Sequence, residues 1–268
     1  MMKNLLVKFA FLLLLPGLSG CGGTKVLKEP EALAVTQSLA TASDRHLSGT
    51  LDWVIFRDGP GTWARNVDWD EYLIRVQNLG DDSLQITKVI VVDSLGTRIE
   101  ARQNRKQLVK GTKETKRRYK GEGLKVKAGV SAGTLLAAGA VTAATVASAG
   151  AAVVYGGSAM AAGVATGLLL VPVLAVGGIV RGVNNSKVNS QIESRQTLLP
   201  VVLQEDEEKY LDIFFPLSPS PLQIEITYVD SRGDHTLIVD TQAALEGLHV
   251  VRGEKWRLLV AERPRILT

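Results

Sequence analysis

The side chains that could do catalytic chemistry are few and scattered along the chain. His46, His235 and His249 are far apart, and the two-residue step from Asp44 to His46 is poor spacing for a pair of metal ligands on a helix. No serine lies in a nucleophile elbow, and the glycines of 177–182 lack the lysine and Ser/Thr of a phosphate-binding loop. We therefore predict no enzyme activity, no metal, no cofactor and no small-molecule substrate.

The single thiol, Cys21, follows a segment with the marks of a secretion signal. Lys3 and Lys8 give a positive start, residues 9–15 are apolar, and the residues before Cys21 are small. The apolar run is too short for a membrane span, which needs roughly 20 residues. We predict a signal peptide over residues 1–20. With one cysteine the chain can form no internal disulfide, so the fold must depend on packing.

The quartet Leu18-Ser19-Gly20-Cys21 resembles the lipobox of bacterial lipoproteins, and the whole chain is similar to uncharacterised proteobacterial lipoproteins. The resemblance implies cleavage between Gly20 and Cys21, a diacylglycerol thioether on Cys21 and acylation of the new amino terminus. Two or more acyl chains anchor a protein stably. The residue after the cysteine is Gly22, whereas an aspartate at this position is associated with inner-membrane retention. The resemblance therefore implies an outer-membrane anchor, with the folded part in the periplasm.

The charge balance gives no sign of a nucleic-acid partner. Without Lys3 and Lys8, 29 basic side chains remain against 27 acidic ones. The basic excess is local: residues 105–127 carry ten Lys or Arg and two Glu, and residues 181–195 are polar and again carry basic residues. Four of the flanking cations could bind lipid phosphates, namely Lys125, Lys127, Arg181 and Lys187.

Between these flanks, residues 128–180 carry no charge over 53 residues. That length fits two helices of roughly 20 residues and a turn. The glycines at 156–157 mark the turn, which predicts helices near 128–154 and 159–180. Small residues recur at four-residue steps, on one helix face: Gly129, Gly133, Ala140, Ala144, Ser148, Ala152, Gly156, Gly163 and Gly167. Such stripes let helices approach closely in lipid, and the pattern resembles the glycine-zipper hairpins of outer-membrane lipoproteins.

Three interpretations of this segment remain open: a hairpin inserted in a membrane, a hairpin buried against other copies, and a low-complexity linker. A linker of this length without charge would aggregate in water, which disfavours the third. We predict a structural or assembly role, in which the segment docks or oligomerises with copies or an envelope partner. The alternative is a pore lined by Ser131, Thr134, Thr142 and Thr145, and an envelope enzyme is the least supported.

The remaining sequence predicts a mainly β protein. Alternation and turn signals place strands at 72–78, 84–92, 98–100, 211–216, 222–228 and 236–239, with another possible at 255–260. Neither β region is large enough alone, so we predict one immunoglobulin-like sandwich interrupted by an Ala/Gly-rich helical hairpin; two separate β domains are the alternative. The predicted divisions are a signal peptide (1–20), a tether (21–47), a first half-sandwich (48–104), a basic linker (105–127), the hairpin (128–180), a polar linker (181–195) and a second half-sandwich with the tail (196–268).

Three tryptophans, Trp53, Trp63 and Trp69, fall within 17 residues. Tryptophan is enriched where proteins meet partners or membrane surfaces, which makes these residues a possible interaction surface. The alternative, which we favour, is that they pack the core of the β domain.

Overall fold

The computed structural model describes residues 23–30, 33–35, 37–130, 141–143 and 181–251. They form a mainly β structure with several antiparallel sheets. The strands are β1 (Lys25–Val26), β2 (Leu33–Val35), β3 (Ala40–Ser43), β4 (Leu47–Ile55), β5 (Ala64–Arg65), β6 (Trp69–Asn78), β7 (Leu84–Val92), β8 (Arg98–Glu100), β9 (Val126–Val130), β10 (Val141–Ala143), β11 (Val201–Leu203), β12 (Glu208–Pro216), β13 (Gln223–Asp230), β14 (Gly233–Asp240) and β15 (Leu248–Val250). The helices are α1 (Arg105–Gly121), α2 (Arg181–Arg195) and α3 (Gln242–Leu245).

Two larger sheets form the body of the structure. The first has the strand order β12-β6-β4-β3, and the second has the order β11-β7-β13-β14 with β8 also paired to β7. Both sheets contain strands from before and from after residues 105–195. β12 pairs with β6 over nine residue pairs, and β13 pairs with β7. The two β regions of the sequence therefore fold together.

A hydrophobic core lies between these two sheets. On β13 the alternating residues Ile224, Ile226 and Tyr228 are buried in this core, as the period of two along a strand requires. Each fully buried aliphatic side chain contributes about 1.5–3 kcal/mol. The core takes members from both sheets, including Leu51, Tyr72, Ile74, Ile86, Val91, Ile213, Phe215 and Val239.

A second, smaller cluster covers the other face of the first sheet, beneath α1 and α2. Its members are Trp63, Ala64, Val67, Trp69, Leu108, Val188, Ile192 and Phe214. Helix α2 contributes Val188 and Ile192, which are four residues apart and so share one helix face. The first sheet is thus buried on both sides, by the second sheet and by the two helices.

The predicted strands are confirmed where the structure describes them. The segment 84–92 is β7 with the predicted bounds, and 98–100 is β8. The predicted strand 222–228 lies in β13 from residue 223 onwards, and 236–239 lies in β14; the two strands join at the predicted turn. The possible strand at 255–260 lies outside the described residues.

Two segments predicted as linkers, 105–127 and 181–195, contain helices α1 and α2 instead. On α1 the buried residues are Leu108, Thr112, Thr115 and Tyr119, at steps of four, three and four. Only two of these are large, so charge dominates the composition and conceals a helical face. The predicted tether, 21–47, also contains structure, because β1 pairs with β5 and β3 pairs with β4.

The uncharged segment starts in extended conformation. Residues 126–130 form β9, which pairs with β15, and residues 141–143 form β10, which pairs with β2. The helix predicted near 128–154 is therefore wrong at 128–130 and 141–143, where β-branched valines favour strands. Residues 131–140 and 144–180 lie outside the described part of the chain. Within that described part, no helix is both long and apolar enough to cross a membrane.

Candidate membrane interface

Most residues of the predicted small-residue stripe, and the lipidation site Gly20-Cys21, lie outside the described residues. Gly129 is described, and it lies in β9 rather than in a helix. Its φ of +92° favours glycine, and a Cβ there would lie 3.2 Å from the carbonyl oxygen of Arg57. In the structure, Gly129 therefore serves a close backbone approach at the start of the uncharged segment.

The three tryptophans are inside the protein. The exposed fractions of Trp53, Trp63 and Trp69 are 3%, 4% and 2%. Trp53 belongs to the core between the sheets, whereas Trp63 and Trp69 pack beneath the helices with ring centroids 6.4 Å apart. They pack the β domain and form no exposed interaction surface.

His249 has a carboxylate partner that the sequence did not indicate. Its Nε2 lies 2.8 Å from Oδ2 of Asp70, and both side chains are fully buried. The ring also makes an edge contact with Phe56, and the backbone of His249 has φ of +62°. This buried contact ties β15 to β6.

His46 and His235 meet at one end of the domain, with ring centroids 6.0 Å apart. His235 lies 3.1 Å from Asp230, and its ring stacks on Tyr228, which the register of β13 and β14 places opposite it. The pKa of Asp230 is lowered, mainly because its carboxylate accepts a hydrogen bond from the backbone N–H of Arg232. The hydrogen bond with His235 acts in the same direction and is weaker. Within the described residues no group of three His, Cys, Asp or Glu side chains could hold a metal ion.

A pocket among Phe56, Trp63, Val67 and Glu71 has a cavity volume of about 10 Å³. Small-molecule sites commonly enclose roughly 300–1,000 Å³. This pocket is too small for a typical ligand.

Below α2, a buried ionic cluster joins Glu71, Arg195 and Asp212. Nε of Arg195 donates to Oε1 of Glu71 at 2.8 Å, and Nε1 of Trp63 donates to Oε2 at 2.7 Å. The guanidinium also lies 5.7 Å from the centroid of the Trp63 ring, within range of a cation–π interaction. Because Arg195 is the last residue of α2, this cluster fixes the end of the chain that returns from the uncharged segment.

Within this cluster, the negative charge of Asp212 is the least well compensated by neighbouring groups. Burial raises the pKa of Asp212 to about 8, with the Glu71 carboxylate acting in the same direction and Arg195 opposing both. Its Oδ1 makes no hydrogen bond to the described residues. The folded protein therefore holds a proton on Asp212 at pH values where an unfolded aspartate is ionised.

We expect Asp212→Asn to flatten the pH dependence of stability. A raised carboxyl pKa gives stability that is complete below about pH 4 and is lost as the pH rises towards 8, at about 1.4 kcal/mol per pKa unit. Asparagine cannot ionise. In urea denaturation, the free energy of unfolding of the variant should therefore rise relative to that of the native protein as the pH increases across this window. Asp234→Asn, at an exposed carboxylate, is the control. Parallel pH profiles for native protein and Asp212→Asn would contradict the assignment.

Helix α1 is held tightly on the first sheet. The hydroxyl of Thr112 donates to the carbonyl of Asp68 and accepts from the backbone N–H of Leu217 at 3.0 Å. At Gly111 a Cβ would lie 2.5 Å from the ring of Pro216, so glycine permits the close approach. The hydroxyl groups of Tyr119 and Ser94 lie 2.7 Å apart. The helix therefore has one orientation on the domain.

The outward face of α1 is strongly basic. Its five exposed cations are Lys106, Lys110, Lys113, Arg117 and Lys120. At 100° per residue these fill an arc of about 80°, opposite the buried face. None of the five makes an ion pair with the residues the structure describes. By contrast Lys116 and Arg118, on the flanks of this face, pair with Asp68 and Asp93 at 3.2 Å.

The basic face leads directly into the uncharged segment. After α1 the chain passes through the exposed Lys125 and Lys127, which lie two residues apart and so on one side of the strand, and then loses all charge. At the other end, α2 packs against α1, and Asn189 accepts a hydrogen bond from the backbone N–H of Arg105 at 3.3 Å. Both ends of the uncharged segment are therefore attached to one domain, beside the same basic helix.

Comparison with protein-family models, with curated proteins and with solved structures gives no match.

Proposed function

We propose that this protein is a lipid-anchored envelope protein with a structural or assembly role, which docks in the membrane through its uncharged segment. The observation that carries the proposal is the attachment of both ends of a 53-residue uncharged segment to one β domain. A segment held in this way must enter and leave the membrane on the side where the β domain lies. The predicted lipid on Cys21 would hold the domain at that membrane.

The described strands limit how deep the segment can reach. Because β10 ends at residue 143, a first helical arm that ends at the predicted residue 154 would have at most the eleven residues 144–154. Eleven helical residues span roughly 16 Å, against a hydrocarbon core of about 30 Å. A hairpin with one short arm favours docking over a pore, since a pore needs arms that cross the whole bilayer. Self-association through the small-residue stripe would complete its packing.

We also propose that the two larger sheets form an immunoglobulin-like sandwich, interrupted by the Ala/Gly-rich hairpin within residues 144–180. The shared core between the sheets and the pairing of strands across the interruption support this arrangement. The sandwich would stand in the periplasm as the part that meets a partner.

The proposal predicts that the chain stays in the membrane without its lipid. Residues 1–21 are replaced with a leader cut by the ordinary signal peptidase, and envelope membranes are extracted at alkaline pH. We expect the unlipidated protein to remain in the pellet, because its uncharged segment is inserted. A Cys21→Ser variant would be a poor substitute, because its uncut leader would itself act as an anchor.

A soluble and folded protein in the alkaline supernatant would overturn membrane docking and place the segment inside an oligomer or partner. The lipidated native protein is the control for recovery in the pellet. In vesicles loaded with a fluorescent dye, we expect the unlipidated protein to release none. Dye release would instead support the pore.

A further inference from the structure

We propose that the exposed basic face of α1 is a docking surface for the phosphate headgroups of an anionic membrane. This inference rests on the proposed function, since it requires a membrane next to the domain. It extends the predicted lipid contacts from the residues beside the uncharged segment to a whole helix. The occupant is a lipid surface, bound through charge complementarity.

The arrangement of charge on α1 separates this face from an ordinary solvated helix. The cations on its flanks, Lys116 and Arg118, are paired with carboxylates of the β domain. The five outward cations have no such partner among the described residues, and Glu114 is the only acidic residue within α1. Each cation close to an anionic surface favours membrane partition by about fivefold.

The docking of α1 presents these charges as a fixed row. Contacts of Thr112, Gly111 and Tyr119 with the β domain leave the opposite face outward. Lys125 and Lys127 continue the positive charge to residue 128, where charge ends. The uncharged segment ends at residue 180, directly before α2, which packs against α1. A chain that leaves a bilayer there would bring α1 to the headgroup layer.

The same row of charge is less suited to a nucleic acid. Single-stranded nucleic acids bind on surfaces that combine cations with exposed aromatic rings. The only aromatic residue of α1, Tyr119, is fully buried beneath the helix. The predicted export signal also favours lipid as the partner.

The test measures flotation of the unlipidated chain with vesicles of phosphatidylcholine, and with vesicles that also contain phosphatidylglycerol. We expect a preference for the anionic vesicles that weakens as salt is added. The triple variant Lys110→Gln, Lys113→Gln and Arg117→Gln should lower that preference by on the order of 100-fold. Circular dichroism checks that the variant is folded.

The matched control neutralises three exposed cations elsewhere: Arg45→Gln, Lys88→Gln and Arg232→Gln. It changes net charge equally and should lower the preference by less than about fivefold. An equal loss in both variants would overturn the proposal, as would a native chain with no anionic preference. Tighter binding to duplex DNA than to anionic vesicles at one ionic strength would also overturn it and assign the face to nucleic acid.

The two vesicle types separate this inference from the proposed function. Flotation with neutral vesicles reports insertion of the uncharged segment. The additional flotation with anionic vesicles reports headgroup binding by α1. A chain that floats only with anionic vesicles would refute insertion and still support headgroup docking. A chain that floats equally with both would support insertion and refute headgroup docking.

Discussion

Replacing Arg195 with methionine is expected to lower the free energy of unfolding by about 3–5 kcal/mol, the cost of breaking a buried ion pair. Arg195 and Glu71 are 8% and 1% exposed, with Nη2 2.7 Å from Oε1. Burial lowers the pKa of Arg195, but Glu71 more than offsets this and raises it overall. Without the guanidinium, the buried carboxylate of Glu71 has no cation to compensate its charge. Urea denaturation followed by circular dichroism measures the loss.

Two comparisons identify burial as the cause. Lys88→Met removes a similar ion pair, with Glu100 at 2.9 Å, but both side chains are half exposed. It should cost less than about 1 kcal/mol. The double variant Glu71→Gln with Arg195→Met should recover much of the stability, because it removes both charges. If Arg195→Met cost no more than Lys88→Met, the buried cluster would not hold α2 as described.

Replacing residues 144–180 with an equally long Gly/Ser segment is expected to release the unlipidated protein from membranes completely. The exchange retains every described residue, including β9, β10 and α2. A Gly/Ser chain of this length is a flexible coil that stays hydrated and has no apolar surface to insert. Alkaline extraction measures the release, and thermal unfolding should show the β domain unchanged.

A second exchange separates insertion from helix packing. Scrambling residues 144–180 keeps their composition but destroys the four-residue spacing of Ser148, Ala152 and Gly156. We expect this variant to stay in the membrane and to lose self-association, measured by crosslinking in the membrane. Retention of the Gly/Ser variant in the pellet would show that 144–180 is not the membrane contact.

Much of the β architecture could be predicted from the sequence because strands carry local signals. Alternation at 222–228 and the turn at 230–233 depend on near neighbours in the chain, and β7 has the predicted bounds. The uncharged segment and the single cysteine are likewise properties of composition. The predictions of lipidation, export and assembly depend on such local features and stay predictions.

The burial of charged residues and the positions of the helices depend on contacts between distant parts of the chain. Glu71, Arg195 and Asp212 are distant in sequence, and pairing of β12 with β6 brings the two carboxylates to one face of the first sheet. Helix α1 has few large apolar residues, so its helical periodicity is weak in the sequence. The burial of Leu108 and Tyr119 in the folded domain identifies its inner face. Local composition determines the pattern of strands and charge, whereas burial depends on long-range pairing that one sequence does not display.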